Sequence, residues 1–136
     1  MTSDRDIALS FMQALWAADF NATDALLSED ATWVFQLGMP QSQLRESRVW
    51  PARDAMRRIV ADLFGKFSPD GFAVTVSHII ADSGNVAIEY EANGRTVSGR
   101  AYQNYYVTLL RVRDGQISDV RPYNDTLHIA QSLVDG

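Results

Sequence analysis

Gly99-Arg-Ala-Tyr-Gln-Asn-Tyr-Tyr-Val-Thr-Leu-Leu-Arg-Val-Arg-Asp-Gly-Gln-Ile-Ser-Asp-Val-Arg-Pro-Tyr-Asn-Asp125 is the stretch from which the rest of the chain is read. It alternates. The even positions run Arg100, Tyr102, Asn104, Tyr106, Thr108, Leu110 and Val112, and the odd ones run from Ala101 to Arg111. Period two with aromatic and β-branched residues is the signature of a strand. Asp114-Gly115 supplies two residues that tolerate positive φ, so the chain turns and returns through Ile117 to Asn124. Asn104, Thr108, Asn124 and Asp125 are interleaved with aromatics. Polar groups among rings suit a pocket wall better than a dry core.

Working outward, residues 72–80 and 86–92 also alternate. The first places Phe72, Val74, Val76, His78 and Ile80 on one face. The second places Val86, Ile88 and Tyr90 on one face and Ala87, Glu89 and Glu91 on the other. Asp82-Ser-Gly-Asn85 reads as a turn, and Asn93-Gly94 as a type I′ turn. Before this meander the period is helical. Residues 3–18 place Ile7, Phe11, Leu15 and Ala18 on one stripe behind a Ser3 cap. Asn21 caps a second short helix through Leu27, and residues 31–37 form a strand with Trp33, Phe35 and Leu37 on one face. Residues 38–50 hold no period and read as a loop. Pro51 starts a helix with Ala52, Met56, Ile59, Val60, Leu63 and Phe64 on its apolar stripe and Gly65 at its end. Residues 126–134 read as a short terminal helix or tail.

The chain has 136 residues, a net charge of -5 and no cysteine. That length supports one domain with its own core. Helices first and an antiparallel meander later make an α+β fold. The expected form is a cone-shaped, curved sheet covered by the N-terminal helices and enclosing a pocket. Eleven arginines and one lysine, Lys66, are scattered rather than gathered in the basic stripe that nucleic acid requires. The absence of cysteine removes disulfides, thiolate catalysis and cysteine-based zinc sites. The two histidines lie apart, so no metal motif forms. The N-terminus reads as neither signal peptide nor membrane span, and a cytoplasmic setting without membrane contact is the expectation. Tyr105, Val107 and Leu109 on the outer face of the long strand call for a homodimer.

Four motifs carry a family resemblance: Ser28-Glu-Asp-Ala-Thr-Trp33, Gly99-Arg-Ala-Tyr-Gln-Asn-Tyr-Tyr106, Arg113-Asp-Gly-Gln-Ile117 and Arg121-Pro-Tyr-Asn-Asp125. With the element order, they make the chain resemble the nuclear-transport-factor-2-like superfamily. Within it the chain resembles the SnoaL-like group of polyketide cyclases, as a single domain over residues 1–136. Its layout is similar to ketosteroid isomerase and limonene epoxide hydrolase. The acid and base positions of ketosteroid isomerase fall here on Phe11, Phe35 and Thr108, so that activity is not expected. The epoxide hydrolase Arg-x-Asp falls near Glu89-Tyr-Glu91 without its arginine, and its last carboxylate falls on Pro122.

The resemblance implies a cofactor-independent enzyme acting by acid/base chemistry on an apolar cyclic or aromatic compound. Cyclisation, isomerisation, dehydration and hydration all fit. His78 and Asp125 are the acid/base candidates; the alternatives are a core histidine and a helix cap for residues 126–134. Trp33, Phe35, Tyr90, Tyr102, Asn104, Tyr106 and Asn124 are the candidate substrate-binding residues, or else plain core and cross-strand pairs. Arg45, Arg48, Arg53, Arg57 and Arg58 offer an anion site or a solvated helix face. A non-catalytic binding or protein-interaction module of the same fold is the competing reading.

Overall fold

A computed structural model of the protein describes residues 2–35 and 48–125. Helix α1 (Asp4–Trp16) opens on Ser3, whose hydroxyl accepts from the Asp6 amide at 3.1 Å. Its stripe of Ile7, Ala8, Phe11, Met12 and Leu15 is buried. Helix α2 (Phe20–Leu26) is capped by Asp19 rather than Asn21: the Ala22 amide donates to the Asp19 carboxylate at 3.1 Å. The left-handed Ala18 (φ 56) ends the first helix and sets Asp19 at the start of the next.

Strand β1 (Leu27–Val34) begins earlier than its periodicity indicates, and β2 (Val49–Pro51) pairs with it from within the expected loop. The third helix, α3, spans 52–64. It is α-helical at Ala52–Ala55, π-helical at Met56–Val60 and α-helical again at Ala61–Phe64. Pro51 precedes it, and Gly65 closes it. Strands β3 (Phe67–Asp82), β4 (Asn85–Thr96), β5 (Ala101–Arg113) and β6 (Gln116–Asn124) follow.

The sheet is curved and unclosed, in the order β2-β1-β6-β5-β4-β3. All pairs are antiparallel except β1 with β6, which closes the long excursion through α3 and the meander. The inner face presents Val86, Ile88 and Tyr90 of β4 and Tyr102, Leu110 and Val112 of β5 to α1. The outer face leaves Tyr105, Leu109, Ile80 and Tyr123 exposed.

Two expectations about β3 and β4 are corrected. Asn93-Gly94 is no turn. Asn93 pairs with Ala73 and Gln103, Gly94 pairs with Phe72 and Tyr102, and the chain reverses only at 97–100, where Gly99 has φ +89. Ladder bonds to strands on both sides outweigh a two-residue turn preference. In β3 the alternation breaks at a bulge: Val76 faces Tyr90, His78 faces Glu89, and Ser77 is the extra residue between them. A bulge places two successive residues against one partner and reverses the parity beyond it. So His78 and Ile80 leave the face of Val74 and point outward, while Ile79 turns in against the core.

The two hairpin turns that form where expected differ in their demands. Gly84 and Gly115 both have positive φ, at +82 and +77. A Cβ on Gly84 would lie 2.9 Å from the Val112 carbonyl oxygen, whereas one on Gly115 would meet nothing. Gly115→Ala is therefore expected to cost only backbone strain, about 1 kcal/mol. Gly84→Ala adds a clash with backbone and is expected to cost about 2–3 kcal/mol. Equilibrium denaturation of the two variants checks the difference.

Candidate functional site

The curved sheet and helices α1 and α3 leave a cavity of about 110 Å³ at the end of the core remote from the β5–β6 turn. Met12, Leu15 and Trp16 of α1 line one side, and Val60, Leu63 and Phe64 of α3 another. The sheet contributes Tyr90 and Ala92 from β4, Tyr106 and Thr108 from β5, and Pro122 and Asn124 from β6. Trp33, Phe35, Phe67 and Phe72 complete the wall.

Strand register explains the polar part of this wall. Tyr90 lies directly opposite Tyr106, and Ile88 opposite Thr108. The two tyrosine rings stack with centroids 5.0 Å apart and planes 3° from parallel. Trp16 meets Tyr90 edge-on at 4.8 Å. The Tyr90 and Thr108 hydroxyls share a buried hydrogen bond of 3.0 Å.

The second polar group is directional. The Tyr105 amide donates to Asn104 Oδ1 at 2.9 Å, which fixes the orientation of the Asn104 side chain. Its Nδ2 then donates to the Tyr102 hydroxyl at 2.9 Å and to the Asp125 carbonyl oxygen at 3.3 Å. The Tyr102 and Tyr106 hydroxyls share a hydrogen bond of 2.5 Å in which either can donate. Tyr106 lines the cavity, with Tyr102 and Asn104 bracing its hydroxyl from behind.

β1 and β6 part company beside this group. Their last pair is Trp33 with Val120. Pro122 follows and has no N–H to offer a neighbour. Beyond it Phe35 turns to bond Arg48, its amide donating to the Arg48 carbonyl at 2.8 Å. Pro122 and Asn124 keep their places opposite Thr108 and Tyr106 of β5 and line the cavity.

Burial shapes the ionisation of the wall. Desolvation pushes Tyr90 up to about 12, opposed by the Thr108 hydrogen bond. Desolvation also raises Tyr106, reinforced by Tyr102, and raises Tyr102 itself against the lowering effect of its bonds to Tyr106 and Asn104. All three are neutral donors through the physiological range. No carboxylate or imidazole lines the cavity among the described residues.

The sequence-derived candidates divide accordingly. Trp33, Phe35, Tyr90, Tyr106 and Asn124 line the cavity, and Tyr102 and Asn104 stand immediately behind Tyr106. His78 does not join them. The Ser77 bulge turns it outward, with its side chain 74% exposed and Nδ1 3.0 Å from a Glu89 carboxylate oxygen. The Ser77 hydroxyl bonds the same oxygen at 2.8 Å, and both partners hold the Glu89 carboxyl below its usual range, Ser77 first. Asp125 is exposed at the end of β6 and is not a lining residue; its negative charge reaches Tyr102 and helps raise that pKa. His78 and Asp125 are not brought together. The cap alternative for Asp125 concerns residues 126–134, which lie outside the described residues, as does Arg45. Of the other arginines, Arg53 is engaged internally, donating to the Ser28, Asp24 and Leu27 carbonyls at 3.0, 2.9 and 3.1 Å. Arg57 pairs with Asp24, Arg48 bonds the Phe35 carbonyl, and Arg58 lies over Trp50. Glu91 is met by Gln103 and Asn93, and Arg121 by Asp119.

The model of the SnoaL-like domain family matches residues 8–120. The chain belongs to the SnoaL-like family. No curated protein matches it in sequence. Among solved structures, a nuclear-transport-factor-2-like protein of Burkholderia thailandensis is 19% identical, with a TM-score of 0.77 over 97% of this chain and 98% of that one. A candidate SnoaL-like polyketide cyclase of Jannaschia sp. CCS1 is 17% identical, with a TM-score of 0.77 over 98% and 92%. TerC, co-crystallised with polyporic acid, is 15% identical, with a TM-score of 0.79 over 98% and 100%. These similarities establish the shared fold. Among the described residues of this SnoaL-like chain no helix is long and apolar enough to cross a membrane, and no cluster of potential metal ligands occurs.

Thr108 reads in sequence as one of the polar groups of a pocket wall, and Pro122 only as a position where a relative places a carboxylate. Both prove to be cavity wall. Period two was the available signal for Thr108, which shares a face with Tyr106 and Tyr102. Trp16 lies off the stripe of Ile7, Phe11, Leu15 and Ala18, and Phe67 precedes the first alternating run.

The raised tyrosines generate a pH prediction. A tyrosine ionises near 10 when unfolded and, for Tyr90, near 12 when folded. The folded state therefore holds more protons in that window, and stability falls as pH rises through it. Spectrophotometric titration is expected to show Tyr90, Tyr102 and Tyr106 ionising late, together with alkaline unfolding. Tyr90→Phe removes one group from the late class.

Proposed function

We propose that this protein is a small-molecule enzyme that binds an apolar cyclic or aromatic compound in the cavity and activates it through Tyr106. The observation that carries this reading is the hydrogen-bonded group Asn104–Tyr102–Tyr106, whose last hydroxyl is braced beside an apolar cavity. A donor held in place before the reaction stabilises negative charge growing on a substrate oxygen without reorganisation, and it is worth more where water is excluded. Such activation suits an isomerisation or cyclisation through an enol-like species, and a dehydration or hydration by the same logic. It needs no cofactor. Trp33, Phe35 and Tyr90 hold the ring, and the Tyr90–Thr108 hydroxyl pair and Asn124 orient its polar edge. Asp125, whose charge is felt at Tyr102, is the carboxylate proposed to exchange protons at the rim. His78 has no part in this scheme. SnoaL-like membership and the presence of a candidate polyketide cyclase and of a protein crystallised with polyporic acid among the fold relatives support a ligand-handling role.

Tyr106→Phe removes the hydroxyl and keeps the ring. It is expected to lower turnover about 10²-fold with binding retained, the usual scale for one such donor. Asp125→Asn is expected to lower turnover and alter its pH profile. Compounds with one or two rings, assayed by mass spectrometry for conversion and by thermal shift for binding, provide the check. Binding without conversion of any compound that fits would make the site a receptor rather than a catalyst.

The same proposal includes a homodimer formed through the outer sheet face, where Tyr105 and Ile80 are 64% and 68% exposed beside Leu109 and Tyr123. Covering apolar surface is favourable by roughly 25 cal/mol per Å². Sedimentation at micromolar concentration is expected to show a dimer, and Tyr105→Asp a monomer that keeps the cavity. A wild-type monomer at high micromolar concentration contradicts this.

A further inference from the structure

Within the described residues, three buried side-chain polar atoms have no hydrogen-bond partner: Trp16 Nε1, Trp33 Nε1 and Asn124 Oδ1. All three residues line the same cavity. Elsewhere in the core the rule of satisfied polar groups holds, even for Thr23, Asn104 and Thr108. An unpaired buried donor is costly, and a folded protein keeps few of them. Three on the wall residues of one cavity place the unmet hydrogen-bonding capacity of the core beside the space a ligand would enter.

We propose that the Trp16 and Trp33 indole N–H groups are specificity-determining donors to the ligand, and that the cavity selects an uncharged single-ring compound carrying two acceptor oxygens. This rests on the ligand site proposed above and adds what that site recognises. Indole can only donate, so both tryptophans demand acceptors. The ligand is uncharged because no ionised group among the described residues lines the cavity to balance a charge, and burying an unpaired charge is far costlier than burying an unpaired dipole. It has one ring because the volume is about 110 Å³, near the ~150 Å³ at which an apolar cavity accepts benzene.

Trp33 is only 3% exposed, and neither indole nitrogen has accessible surface as the rings stand. A small turn of each indole toward the ligand's oxygens is therefore part of the proposal. Trp16 has the freer ring. It is half-buried, and its N–H lies close enough to the Tyr90 hydroxyl to favour the phenolate slightly while lacking hydrogen-bond geometry. Asn124 Oδ1 adds a place for a hydroxyl proton on the same ligand.

The test uses matched probes. 1,4-Dimethoxybenzene and 1,3-dimethoxybenzene carry two acceptors; 1,4-diethylbenzene and 1,3-diethylbenzene have nearly the same shape and none. Each is titrated into the ¹⁵N-labelled protein, whose three tryptophans give separate indole N–H resonances, assigned with Trp16→Phe and Trp33→Phe. The expected result is that at least one dimethoxy isomer moves the Trp16 and Trp33 indole protons downfield, leaves that of Trp50 in place and binds about tenfold more tightly than its diethyl match. Trp33→Phe keeps a ring in the wall and is expected to erase most of that preference. Equal binding of ethers and hydrocarbons without an indole shift overturns this inference and leaves the ligand site standing. Binding of none of the four overturns both.

Discussion

Tyr90 and Tyr106 face each other across β4 and β5, their rings parallel and their hydroxyls tied to different partners. The pair sits where the inner face of the sheet changes from aliphatic to polar. Toward the β5–β6 turn, Val86, Ile88, Leu110 and Val112 meet α1 in a filled core. In the other direction, the rings are too large and too well anchored to collapse into the space beside them. Thr108 and Tyr102 hold the two hydroxyls, so neither ring can swing into the cavity without breaking a buried bond, a loss of roughly 1–3 kcal/mol. The cavity persists because its wall is satisfied from behind.

That arrangement depends on strand register, and so does the exclusion of His78. One residue inserted at Ser77 is enough to exchange inside for outside along the rest of β3. Glu89 rewards the outward position by accepting from Ser77 and from His78 whenever its Nδ1 carries a proton. The same physics that places five aromatic and amide residues in the wall removes the one imidazole from it. The remaining polar chemistry is neutral: phenols with raised pKa values, one threonine and two amides.

Much of this was legible in the chain. The two faces of β4 and β5 follow directly from period-two residues, and the Asp114-Gly115 hairpin forms with both residues at positive φ, as its chemistry demands. The wall residues Trp33, Phe35, Tyr90, Tyr106 and Asn124 were recoverable because polar groups recur among rings on one face. The misses share a cause: each was decided by a partner distant in sequence. Asn93-Gly94 is a good turn in isolation but lies between two strands that extend past it. Ser77 and His78 are compatible with either face, and only the curvature of β3 against β4 selects a bulge. Asp19 and Asn21 are both competent caps, and the turn at Ala18 chooses between them. The π-helical turn of α3 has no local signature; it brings Val60, Leu63 and Phe64 to the cavity through packing on the sheet.

The claim at the centre of this account is that the cavity beside Tyr106 is where ligand binds. Met12 lines it, whereas Met56 is buried in the adjoining core without lining it. A ring entering the cavity must therefore impose a ring-current shift on the Met12 methyl first. In a protein labelled with ¹³C at the methionine methyls, titration with 1,4-dimethoxybenzene is predicted to move the Met12 resonance saturably and Met56 much less. A binding isotherm detected elsewhere in the protein while Met12 stays fixed would contradict it.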